Sequence, residues 1–180
     1  MVIYEQVCHG SFFYTSGNYQ EWCVVTMISI TLKQNINATP QQICETLLEH
    51  HQLSRFFDAT FSLIQPQNKD ELKGGKGAIR QVKISGIKFS ERIISADHHH
   101  ISYQIMGNKP VAEHRGDIYF NENTLAKDSS IPATTEVTYH ISCKAPWWLP
   151  SFILAFFIRK DLVQALKKLA LHFKGDMVCP

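Results

Sequence analysis

From Ile79 to Lys144 apolar and polar residues alternate with period two through five successive segments, and beyond Pro150 the period becomes helical. The segments are Ile79 to Ser85, Ile87 to Ser95, His100 to Met106, Glu113 to Phe120 and Thr134 to Lys144. Turn-forming links such as Ala96-Asp97-His98 and Gly107-Asn108-Lys109-Pro110 separate them. Strands joined by short turns pair antiparallel, with one face apolar and one polar. The apolar face has to be covered, and the helical segment after it is the element that can cover it.

That segment changes character along its length. Pro146-Trp147-Trp148-Leu149-Pro150 leads into Ser151 to Ile158, apolar on every side. From Asp161 onward Leu162, Leu166, Leu169 and Phe173 recur at helical spacing, with Lys167 and Lys168 on the polar side and Lys174 before Gly175 at the end. The second half reads as an amphipathic helix that fastens to the sheet. The first half needs a concave apolar surface, so a hydrophobic cavity is expected, with ligand contact from Phe152 to Ile158.

Ahead of the alternating region, Cys23 to Leu32 is rich in β-branched residues and reads as a strand with one buried face. Thr39-Pro40-Gln41-Gln42 is a helix start: Thr39 caps, Pro40 gives up no needed hydrogen bond, and Gln42 completes a capping box. Ile43 and Leu47 carry this helix to about His50. A second short helix is expected over Ser54 to Ala59, where Leu53, Phe56 and Phe57 cluster, followed by a polar loop from Gln65 to Gly77. Residues 1 to 21 read as an N-terminal extension or extra hairpin, 22 to 175 as a single α+β domain, and 176 to 180 as a tail.

Composition narrows the function classes. A chain of 180 residues fits one domain and buries a core without staples. Its net charge of +2 arises from 18 basic and 16 acidic residues with no long block of either sign, which argues against a nucleic-acid partner. The five cysteines are widely spaced and contain no C-x-x-C, unlike a disulfide framework or zinc site. A reducing compartment follows, and Met1-Val2-Ile3-Tyr4-Glu5 lacks the pattern of a secretory signal, so a cytoplasmic location is expected. Trp147 to Ile158 is shorter than the ~20 residues a membrane span requires.

Gly74-Gly75-Lys76-Gly77-Ala78-Ile79-Arg80 entering one strand, Phe89-Ser90-Glu91-Arg92-Ile93 in the next and Ala165-Leu166-Lys167-Lys168-Leu169 in the terminal helix resemble the START-like superfamily called SRPBCC. Within it the chain looks most like the polyketide cyclase/dehydrase group, over roughly residues 22 to 175. The resemblance implies a helix-grip fold, a curved antiparallel sheet wrapped around a long C-terminal helix with two short helices at one end. It also implies a pocket for a lipid, sterol or polyketide. The superfamily includes carriers, cyclases and chaperone-binding domains, so no reaction transfers with the fold.

Strand alternation nominates the residues that face such a pocket. Ile87, Phe89, Glu91 and Ile93 share one side of their strand. An inward Glu91 among apolar groups is a candidate acid, base or hydrogen-bond partner, and the alternative is a pair with Arg80 or Arg92. His114, Gly116, Ile118 and Phe120 share the inner side of the next-to-last strand, opposite a wet side of Glu113, Arg115, Asp117 and Tyr119. There His114 either contacts ligand or bonds to backbone or Tyr103. Tyr139 shares a side with Thr135, Val137, Ile141 and Cys143, and offers a hydroxyl. The expected lining is Phe89, Glu91, Tyr103, His114, Ile118, Tyr139, Phe152 and Phe156, with Glu91, His114 and Tyr139 as the catalytic candidates.

Neither a metal nor a cofactor is expected: His98-His99-His100 and His50-His51 do not have ligand spacing, and Gly74-Gly75-Lys76-Gly77 is not a phosphate loop. The leading expectation is binding of a hydrophobic small molecule. The alternatives are a cyclase or dehydratase using Glu91 or His114, and a protein or membrane interaction module using Trp147 and Trp148. Peripheral membrane contact and a homodimer stay open as partners.

Overall fold

The computed structural model describes residues 4–5, 27–122 and 133–175. Its sheet has eight antiparallel strands in the order β1-β2-β8-β7-β6-β5-β4-β3. They are β1 Tyr4–Glu5, β2 Met27–Ile36, β3 Thr60–Gln65, β4 Ile79–Ile84, β5 Ile87–Ala96, β6 His100–Ile105, β7 Ala112–Glu122 and β8 Thr135–Lys144. Helix α1, Pro40–Leu48, and a 3₁₀ turn, His50–Arg55, follow β2, and helix α2, Ser151–Gly175, ends the order. This is the α+β helix-grip architecture, a curved sheet with the C-terminal helix across it. Apart from Tyr4 and Glu5, paired with Leu32 and Thr31 of β2, the expected extension of residues 1 to 21 lies outside the described residues, as does the tail. Among the described residues no helix is long and apolar enough to cross a membrane.

Local chemistry accounts for the elements. Thr39 Oγ1 accepts from the Gln42 backbone at 3.2 Å while Gln42 Oε1 accepts from the Thr39 backbone at 2.9 Å, closing the capping box that starts α1. Ile43, Cys44, Leu47 and Leu48 then turn into the core. On β8 burial alternates without a break, with Thr135, Val137, Tyr139, Ile141 and Cys143 inward. Leu162, Ala165, Leu166, Leu169 and Phe173 are the buried stripe of α2, as its second half requires.

Three expectations are corrected. The second short helix is a 3₁₀ turn over His50–Arg55 rather than a helix over Ser54 to Ala59, because Glu49 ends α1 and the chain tightens at once. Leu53 and Phe56 still supply its buried contacts. Six strands, not five, follow the helices, the additional one being β3. It is an edge strand, paired only with β4 and mostly exposed, so its burial pattern is not that of a half-buried strand. Finally, Asp117 on the outer side of β7 is buried. Arg115 donates to both its oxygens, at 2.8 and 3.2 Å, and His100 Nε2 lies 3.0 Å from Oδ1. These partners hold its carboxyl below the usual range against the burial that would raise it.

Candidate functional site

Ser85 and Gly86 form a two-residue turn with both residues at positive φ, the geometry that matches strand twist in a tight hairpin. The turn fixes the β4–β5 register from Ile84 opposite Ile87 back to Arg80 opposite Glu91. Both side chains point inward, each 9% exposed, and Arg80 Nε and Nη2 lie 2.8 and 2.7 Å from the same oxygen, Glu91 Oε2. The guanidinium also lies over the rings of Phe61 and Tyr103, 5.3 and 5.1 Å from their centroids.

One strand over, Tyr103 stands opposite Gly116. A side chain at position 116 would place its Cβ within 2.3–2.6 Å of the Tyr103 ring and hydroxyl, so glycine there lets the ring lie flat against β7. The Tyr103 hydroxyl meets the Tyr139 hydroxyl at 2.5 Å. Burial pushes the Tyr139 phenol up to about 12 and the Tyr103 phenol well above its usual value, so both keep their protons at neutral pH. One hydroxyl donates to the other, and the accepting hydroxyl retains its own proton for another acceptor.

His114 enters from β7 through a bulge between Ala112 and Arg115, with Glu113 at φ +50°. Its ring lies 5.6 Å from that of Tyr103, and its Nδ1 is buried without a hydrogen-bond partner. Burial lowers its pKa, the nearby Glu91 opposing and Arg80 adding to the shift, so the ring is neutral at neutral pH.

These groups form the polar end of a cavity of about 220 Å³ between the sheet and α2. Val82, Ile84, Phe89, Ile105 and Ile141 supply apolar wall from the sheet, and Leu154, Ile158, Asp161 and Leu162 face it from α2. The Phe57-Asp58-Ala59 loop and Pro110-Val111 complete the rim.

Of the residues nominated from sequence, Phe89, Glu91, Tyr103, His114 and Tyr139 line this cavity together. The alternative reading of Glu91 as an Arg80 partner also holds, so the carboxylate lines the cavity as half of an ion pair. Ile118 does not reach it. It borders a void of about 20 Å³ on whose wall Tyr103 and Tyr139 also lie, so the tyrosines stand between the two spaces. Phe152 and Phe156 do not line the cavity either and are 74% and 64% exposed. At ~3.6 residues per turn, residues two before and two after Leu154 lie about 160° around the helix from it. The ligand-facing stripe of the first half is therefore Leu154 and Ile158, and Phe152 and Phe156 share the outer surface with Trp147, which is 93% exposed. Arg80 was legible only as a partner for Glu91, although a two-residue turn at Ser85-Gly86 sets that register. Asp161 had a signal as well, standing next to Leu162 of the recognised stripe.

Fold and cavity together define a START-like helix-grip domain. Its structure is similar to that of a START superfamily protein from Mycobacterium smegmatis, with a TM-score of 0.63, 12% identity and coverage of 83% of this chain and 97% of that one. It is similar as well to the protein XoxI from Bacillus cereus, at TM-score 0.59 and 17% identity over 81% of this chain and 94% of that one. A protein from Chromobacterium violaceum gives 0.54 and 16% over 81% and 96%. Identities this low speak for the fold alone. No family model and no curated protein matches the chain.

Proposed function

We propose that the protein binds a hydrophobic small molecule in the cavity between the sheet and α2, for carriage or sequestration. The observation that carries this reading is a mostly apolar cavity of about 220 Å³ whose lining includes only a few polar and charged side chains. Such sites bind by burying apolar surface and orient the ligand with a few fixed polar atoms. Support also comes from the START-like fold, which commonly binds hydrophobic ligands. An engineered apolar cavity of about 150 Å³ accepts benzene, so this volume suits one or two rings or a short chain, a small polyketide or a short lipid fragment rather than a sterol. A cytoplasmic location agrees with the cysteine usage. Native mass spectrometry of the protein after exposure to a lipid and small-metabolite extract tests the reading. A retained species below sterol size is expected, and a protein that retains nothing from any extract counts against it.

A second reading is a cyclase- or dehydratase-type enzyme. It is favoured by Glu91 and His114 lining one cavity, with a neutral imidazole whose Nδ1 has no partner. In that reading His114 moves the proton and the Arg80–Glu91 pair orients the substrate. Turnover of polyketide-like model substrates that vanishes in His114→Phe but survives in Phe152→Ser would support it. A protein- or membrane-interaction role rests on the exposed Trp147 and Trp148, and liposome flotation of the wild type and Trp147→Ser tests it.

A further inference from the structure

The charge lining the cavity is unbalanced, and under the binding reading above this sets the kind of ligand. Arg80 is the only positively charged residue among the described lining residues, and Glu91 already engages it through two contacts shorter than 3 Å, at 2.8 and 2.7 Å. His114 contributes no charge at neutral pH, since burial holds its pKa down. Two more carboxylates line the cavity, the exposed Asp58 in the loop before β3 and the partly buried Asp161, three residues beyond Ile158 on α2. They act on each other: burial raises the Asp161 carboxyl and the Asp58 charge raises it further, while Lys160 opposes. Lys160 itself is exposed and does not line the cavity. Three carboxylates against one guanidinium thus surround a mostly apolar space.

We propose that the ligand is a hydrophobic molecule bearing a basic amine, its apolar body against Val82, Phe89, Ile141 and Leu154 and its ammonium between Asp58 and Asp161. A cation there relieves the repulsion between the partly buried Asp161 carboxylate and the exposed Asp58, whereas a carboxylate adds a further like charge where the described lining residues include no cation other than the engaged Arg80. A carboxylate directed instead to the inner end would have to take Arg80 from Glu91, leaving a buried charge unpaired. The asymmetry comes from the lining as a whole. It therefore discriminates between ligands of equal apolar bulk.

The test is direct calorimetric titration of the protein with octylamine, octanol and octanoate near neutral pH and physiological salt. With each carboxylate treated as a partly exposed charge, the amine is expected to bind at least about tenfold more tightly than octanoate, with octanol between them. The double variant Asp58→Asn/Asp161→Asn should bring the amine and carboxylate affinities together, read as the ratio of the two. Octanol binding with octanoate equal to or tighter than octylamine overturns the amine assignment and leaves the hydrophobic-binding reading standing. A charge preference that persists in the double variant also overturns it. Failure of all three, octanol included, overturns the binding reading and the amine assignment with it.

Discussion

Replacing Arg80 by Met leaves Glu91 as a buried carboxylate with no cation, in a position where both partners are 9% exposed and the pair is joined by contacts of 2.8 and 2.7 Å. Breaking a buried pair from one side costs about 3–5 kcal/mol, against roughly 0–1 for an exposed pair. Met keeps apolar contact with the rings of Phe61 and Tyr103, so the loss reports charge more than packing. The expected loss for Arg80→Met is about 3 kcal/mol or more, a large share of the ~5–15 kcal/mol that holds a domain together. Removing both charges with Arg80→Met/Glu91→Leu should recover most of it, because well-packed apolar replacements of buried pairs are often neutral or better. Urea unfolding of the wild type, both single variants and the double variant closes the cycle, provided the denaturant slope is unchanged. A single-variant cost under about 1 kcal/mol, or a double variant that loses the sum of the singles, would refute the reasoning.

Gly116→Ala drives a methyl into the Tyr103 ring and should cost about 1–3 kcal/mol, read as a lower melting temperature, because the displaced ring pulls its hydroxyl away from that of Tyr139. His50 is 3% exposed and burial lowers its pKa from 6.5 to about 4, while His114 is lowered in the same direction. Below pH 6.5 the unfolded chain takes up protons that the folded chain refuses, so stability present above 6.5 is lost as pH falls toward 4. The urea midpoint should decline over that window, and His50→Leu should flatten the decline. Ile158→Trp fills the cavity from α2 and should abolish binding of a neutral hydrophobe, whereas Phe152→Ser and Phe156→Ser, on the outer surface, should leave affinity within about twofold. Cys44 and Cys143, buried and with thiols pushed up to about 12 and 11, should resist thiol reagents until the protein unfolds, read by mass mapping of labelled peptides.

Period two carried most of the sheet. On β5 and β8 it placed Phe89, Glu91 and Tyr139 inward, because a strand buried on one face has only two sides to choose between. The cap at Thr39 was equally legible, since its chemistry is local. What alternation did not reveal depended on neighbours. Edge strand β3 has little burial to imprint a pattern. Asp117 is buried with Arg115 of its own strand and His100 of β6 bonded to it, and the His100 contact is a cross-strand pairing that β7 alone does not display. A helix with apolar residues all round offers no phase, so Phe152 and Phe156 looked as suitable as Leu154 and Ile158. The phase came from further along, where Leu162 and Leu166 fix the buried side and Leu154 and Ile158 fall in line with them.

A titration of the methyl-labelled protein with octanol, followed by NMR, tests the central claim most directly. If the cavity takes a hydrophobic guest, the methyl signals of Val82, Ile105, Ile141, Leu154 and Ile158 should shift saturably with one affinity, and that of the exposed Leu171 should not move. Shifts confined to exposed residues, or none that saturate, would contradict it.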